Sequence, residues 1–268
     1  MAATAEADAP PGALPAPETS NRLGLAWTLV RTDFKARYHG TFSGFAWALL
    51  KPTGVFLVLM TVFSFLFPDP GYKMQLVVGL FLWDFFAEGT KVGLASLHAK
   101  AFLFQKMRVP LWIVVLASLS NPLITLAVFG VAIVGFLSLA GHPPSIAALG
   151  LFSVYCLALT LLVLGFSLAT SVLFLKYRDL NQVWDVLIQA GFFIAPIIYP
   201  LGIVPERLHF YFYLWPPTAV IQFSRAVLIG DGVPSLTAHV YLAIEVLLAL
   251  GCGAAVLRRY GPRAAEWV

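Results

Sequence analysis

Charge is what this sequence has least of. Asp, Glu, Lys and Arg make up 11% of its 268 residues, where a soluble domain carries about 25%. That shortage excludes a mainly soluble globular chain. It also excludes a nucleic-acid binder, which concentrates basic residues on one soluble face. Here the net charge is only +4, and the basic residues sit in short connections between apolar runs. Cysteine is almost as scarce. Cys156 and Cys252 both lie in apolar runs and read as small packing residues, not as a disulfide or metal pair. The five histidines show no HExxH or similar ligand spacing, so no metal site is expected. There is no GxxxxGK[ST] phosphate loop either, so the chain is not expected to hold ATP in that way. The opening "MAATAEADAPPGALPAPETS" lacks the basic start and apolar core of a signal peptide. Residues 1–20 read as a disordered tail, because they cannot bury enough surface to order themselves.

What the sequence has in abundance is apolar residues, 60% of the total. They fall into runs that match the roughly 20 residues needed to cross a bilayer. The expected fold is an all-α integral membrane protein with six spans in one unit over residues 40–258. The spans are placed at about 43–67, 74–97, 110–139, 146–174, 182–200 and 236–257. Lys51-Pro52 interrupts the first, Asn121-Pro122 bends the third, and Pro196 lies in the fifth. Before the spans, residues 22–39 read as an amphipathic helix lying in the membrane interface, with Leu23, Trp27, Val30, Phe34 and Tyr38 at helical spacing and basic residues around them. Residues 201–234 are too polar and proline-broken to span, and are expected to form short helices on the outer surface. Residues 259–268 form a tail.

The basic residues orient the chain. They gather before the first span, in the second and fourth connections and at the end, while the other side holds only Lys73, Arg207 and Arg225. The positive-inside rule then places both termini in the cytoplasm. One charged group breaks the pattern. Asp84, Glu88 and Lys91 sit inside the second span, at spacings that put all three on one helix face. Charges at bilayer depth cost about 2.5–3.5 kcal/mol each on insertion scales, so they must pair or face protein or water. Glu88 and Lys91 are close enough to pair within the helix; Asp84 needs another donor or a watery wall.

Several stretches resemble the type-2 ABC export permeases that move polysaccharides. "RTDFKARYHGTFSGFAWALLKP" is similar to the first segment of that family, "GLFLWDFF" to its second span, and "KYRDL" to the Arg-Asp after its fourth. "FFIAPIIYP" and "WPPTAVIQFSRAVLIGDGVP" resemble its Pro-Ile-x-Tyr and Pro-x-x-x-x-Ile-x-x-x-Arg series. The likeness runs in order through about residues 22–260, with Lys51 and Trp215 standing where Asn before Pro is expected.

The resemblance implies a homodimeric permease in a bacterial inner (cytoplasmic) membrane, paired with two copies of a separate ATPase. No residue of this chain would be catalytic, and ATP and Mg would be bound by the partner. The cargo would be a polysaccharide on a polyprenyl lipid, such as O-antigen, teichoic acid or galactan. Within such a dimer the stripe of Asp84, Glu88 and Lys91 either faces the translocation path, with Trp83 and Phe86 as stacking surface, or is a buried ion-pair network that only holds spans together. Tyr199, Tyr211, Tyr213 and Trp215 would offer further stacking faces on periplasmic gate helices. Phe102, Phe104, Lys106 and Arg108 would contact the ATPase, with Arg178 and Asp179 as a smaller second contact. A drug or lipid exporter is the rival within the family. An ion-coupled carrier using Asp84, Glu88 and Glu245 and a membrane-embedded sugar transferase are rivals outside it; the first would show internal repeats and more spans, the second a cluster of acidic or His residues at a membrane face, and this sequence shows neither.

Overall fold

The computed structural model describes residues 22–38, 46–69, 71–102, 109–230 and 232–267. The expected tail at 1–20 therefore lies outside the described residues, as do Phe104, Lys106 and Arg108. Among the described residues there is no strand, and ten α-helices carry the fold. They are α1 (Arg22–Tyr38), α2 (Ala46–Phe63), α3 (Tyr72–Ala99), α4 (Leu111–Ser118), α5 (Ser120–Leu139), α6 (Ile146–Lys176), α7 (Leu180–Ile194), α8 (Glu206–Tyr213), α9 (Pro216–Ile229) and α10 (Leu236–Tyr260).

Among the described residues, four stretches are long and apolar enough to cross a membrane: Ala46–Phe63, Leu111–Leu139, Ile146–Lys176 and Leu236–Ala264. These correspond to the expected first, third, fourth and sixth spans. The other two differ. The 28 residues of α3 reach about 42 Å at 1.5 Å per residue, but its charges interrupt the apolar run. The 15 residues of α7 reach only about 22 Å, short of the ~30 Å hydrocarbon layer. The expected span at 182–200 stops early because of Pro196: the residue before a proline is pushed out of the helical region, and Ala195 sits at φ −67°, ψ 125°. The third span also breaks differently. Its interruption is at Leu119, so Pro122 falls in the first turn of α5, where a missing N–H costs little.

α3 and α6 form the centre. α3 packs against α2, α4, α5, α6, α7 and α9, and α6 also holds α10. Along α3 only Lys73, Lys91, His98 and Ala99 are exposed. Helices in lipid gain little from hiding apolar surface, so close backbone approach has to hold them together. The α6–α10 seam achieves this through Gly165 and Gly253: a Cβ at either would collide with the backbone of the facing helix.

α1 docks on α4 through Leu25, Ala26, Leu29 and Val30. Trp27 and Phe34, two of the residues expected to face the interface, point away from this contact and are exposed. Lys100 fixes the docking by joining Asp33 of α1 to Ser118 of α4, its Nζ donating to both and lying 2.8 Å from Ser118 Oγ. After α10, a 3-10 segment (Gly261–Glu266) tucks Ala264 into a second apolar cluster with Leu97, Val109, Val114 and Leu175.

Candidate functional site

The charged face of α3 lies between α2 and α7. Lys51 Nζ of α2 is 3.8 Å from Asp84 Oδ1, so the donor that Asp84 needs comes from the neighbouring helix. Lys91 Nζ is 2.6 Å from Asp185 Oδ1 of α7. The expected partner of Lys91 was Glu88, one turn away; the geometry instead gives it a partner across the helix interface, because the antiparallel α7 brings Asp185 alongside. The side chains remain open. Lys51 is 76% exposed, Lys91 45%, Asp185 39% and Asp84 21%.

Behind this stripe stands a knot of rings. Trp83 and Phe86 pack at 5.7 Å between centroids, and Trp215 contacts both at 6.4 and 6.2 Å. Trp184 of α7 joins through Phe86 and through Phe166 at 4.1 Å, and its Nε1 donates to Thr90 Oγ1 at 3.0 Å. Trp83 and Phe86 are therefore buried. They brace α3 against α7 and α9 instead of offering the stacking surface expected of them. Gly191 makes room here, since a Cβ on it would strike the Trp215 ring.

Of the stretch expected to form short helices, residues 201–230 fold as a 3-10 turn (Leu201–Ile203), α8 and α9. Pro216 and Pro217 begin α9, where proline is tolerated, and Gly230 ends it at φ 98°, a conformation open to glycine. α9 is wedged against α3 and α6. The prolines at 196 and 200 leave the carbonyls of 196–198 without helical partners, and buried carbonyls must find donors. Arg225 supplies them: Nη1 donates to Pro196 O at 2.6 Å, Nη2 to Ile197 O at 3.0 Å and Nε to Gln75 O at 2.8 Å. Tyr72 Oη donates to Ile198 O at 2.8 Å. Burial pulls the Arg225 pKa down to about 10, with the Tyr72 hydroxyl acting in the opposite sense, so it stays a cation at neutral pH.

Of the four aromatics expected as stacking faces here, only Tyr211 is exposed. Tyr199 is half-buried and donates to Phe193 O at 2.8 Å. Tyr213 is half-buried against Phe223, and burial raises the pKa of its hydroxyl. Trp215 belongs to the ring knot. On the connection side, Phe102 is exposed, and Arg178 and Asp179 are exposed on the turn between α6 and α7. Glu245 of α10 lines a pocket with residues of α8 and α9, away from the α3 stripe. The three acids of the ion-relay reading are thus not assembled into one site.

Sequence reasoning passed over two members of these arrangements. Asp185 and Arg225 are each a lone charge in an apolar helix, the same signal that drew attention to Asp84.

This is the geometry of a polytopic membrane protein. Residues 24–229 match the family profile described as "ABC-2 type transporter", and the chain belongs to that family. Among curated proteins it is 25% identical over 248 residues to the O-antigen export system permease protein RfbA of Klebsiella pneumoniae, covering 90% of this chain and 94% of that one. It is 28% identical over 190 residues to a protein of the same name in Myxococcus xanthus, covering 69% and 71%. It is also 24% identical over 232 residues to the polysialic acid transport protein KpsM of Escherichia coli, covering 84% and 89%.

Proposed function

We propose that this chain is the permease subunit of an ABC exporter that carries lipid-linked polysaccharide, of the O-antigen or polysialic acid kind, across the bacterial cytoplasmic membrane. Similarity to an O-antigen export permease over 90% of the chain supports that cargo. The working unit is a homodimer with two nucleotide-binding subunits, which hydrolyse ATP. α3, and α7 with residues 195–200, complete six spans, and both termini face the cytoplasm. α1 lies in the interface, and α8 and α9 serve as gate helices. Phe102, Phe104, Lys106 and Arg108 contact the ATPase, assisted by Arg178 and Asp179.

One observation supports the path. Lys51, Asp84, Lys91 and Asp185 form ion pairs that are still 21–76% exposed on the single chain. Asp84 lies near the middle of α3, and Lys91 only about 10 Å further along. Half-open charges at that depth are costly against lipid tails. The face that bears them therefore meets water or the second subunit, and we assign it to the translocation path.

Asp84→Asn keeps the shape and removes the charge. The expected outcome is a normally assembled complex with several-fold lower export and a lower stimulation of ATPase by lipid-linked polysaccharide. Normal assembly with wild-type export defeats the path assignment. Stimulation of ATPase by small lipophilic drugs, and not by the polymer, defeats the cargo.

A further inference from the structure

A pocket of about 500 Å³ lies where α8, α9 and α10 meet, a size typical of small-ligand sites. Its walls are apolar and aromatic: Phe210, Tyr213, Phe223, Tyr241 and Leu242. The rim is open, with Phe210 and Tyr241 exposed, and beside it Ile244, Leu247 and Leu248 leave α10 with an exposed apolar surface suited to lipid. One group on the wall does not belong in such a place. Glu245 lines the pocket, and its Oε2 is fully buried without a hydrogen-bond partner among the described residues. It lies about 14 Å along α10 from Leu236, well inside the span.

A carboxylate in apolar surroundings is stabilised by a cation or a hydrogen-bond donor, and otherwise takes up a proton. Aromatic walls add attraction for one kind of donor in particular, since ring faces draw ammonium groups. A hydrocarbon chain would leave the carboxyl unmatched, and an anionic lipid would be repelled. A phosphate-bearing headgroup fits poorly, because no cationic side chain lines this pocket.

We propose that the pocket binds a lipophilic amine from the surrounding bilayer: a single ammonium group on Glu245, enclosed by the rings of Phe210, Tyr213, Phe223 and Tyr241, with its alkyl tail leaving along Leu242 toward lipid. An occupant would touch α8, α9 and α10 at once, and so hold the two short helices against the last span. This site is separate from the α3 stripe and does not depend on which cargo the stripe carries.

The test uses the full chain in phosphatidylcholine nanodiscs and an alkylamine carrying a diazirine, with labelled peptides mapped by mass spectrometry. Labelling is expected in α8 and α10, with about a tenfold loss in Glu245→Gln. Dodecylamine should compete, while dodecanol and phosphatidylethanolamine should not. Leu242→Trp, which fills the pocket and keeps the acid, should also block labelling. Equal labelling in Glu245→Gln, or equal competition by dodecanol, overturns the ammonium site and leaves a plain apolar groove. Equal competition by phosphatidylethanolamine overturns the amine in favour of a phospholipid headgroup. Persistent labelling in Leu242→Trp overturns the location.

Discussion

Arg225 and Lys91 are both cations set into apolar helices, yet the protein treats them differently. Arg225 is 3% exposed and has every guanidinium nitrogen bonded to a main-chain carbonyl. Gly79 of α3 lacks the Cβ that would collide with it. Lys91 is nearly half open, and so is its partner Asp185. A sealed cation surrounded by carbonyls that nothing else can satisfy is a structural member; removing it exposes those carbonyls to an apolar core. An ion pair left open on a helix face adds little to stability, because much of its attraction is screened. Its presence in a membrane protein has to be explained by what passes, or docks, on that face.

The contrast can be broken most forcefully at Arg225. Arg225→Leu should destabilise the chain by about 3–5 kcal/mol, the scale for stranding buried polar partners. Folded yield after detergent extraction should fall accordingly. Arg225→Lys should rescue little, since an ammonium cannot fork to three carbonyls. A stable, exporting Arg225→Leu protein would erase the distinction.

At the stripe the order of effects should reverse. Lys91→Asp and Asp185→Lys should each cut export several-fold while changing stability by no more than about 1 kcal/mol. The double exchange should recover part of that loss if pairing matters in itself. Large drops in melting temperature for either single change would move this pair into the structural class. The smallest effect belongs to Lys51. At 3.8 Å from Asp84 and largely exposed, Lys51→Met should alter the melting temperature within error and reduce export less than Asp84→Asn does. Export lower than in Asp84→Asn would show that Lys51 acts on something other than Asp84.

The parts of the fold legible in the sequence were those governed by local rules. Long apolar runs placed α2, α6 and α10, and the bounds of α1 followed from its alternation of basic and apolar residues. Proline chemistry is legible in kind but not in consequence: the sequence shows Pro196 inside the fifth apolar run, but not that α7 ends before it or that Arg225 takes up the freed carbonyls. Partner choice was illegible for a different reason. Nothing local links Lys91 to Asp185; only the antiparallel packing of α3 and α7 does. The faces of helices apolar all round were equally hidden. Trp83 and Phe86 were assigned to a surface because they flank Asp84, although α3 is enclosed on nearly every side. That α1 docks on α4 through Leu25, Ala26, Leu29 and Val30 was not legible either, because the apolar residues of α1 nearly encircle it and only the position of α4 decides among them.

The three-way tie at Arg225 also has a consequence for biogenesis. It joins Tyr72–Gln75, Pro196–Ile198 and α9, which leave the ribosome at widely separated times. Until residue 225 is made, the carbonyls at 196 and 197 have no donor, and a chain halted earlier carries an unsealed end of α7. Insertion is therefore completed by a late clasp. Membrane quality control would meet one recognisable defect in products stalled between residues 198 and 225: a broken helix end that the rest of the protein has not yet closed.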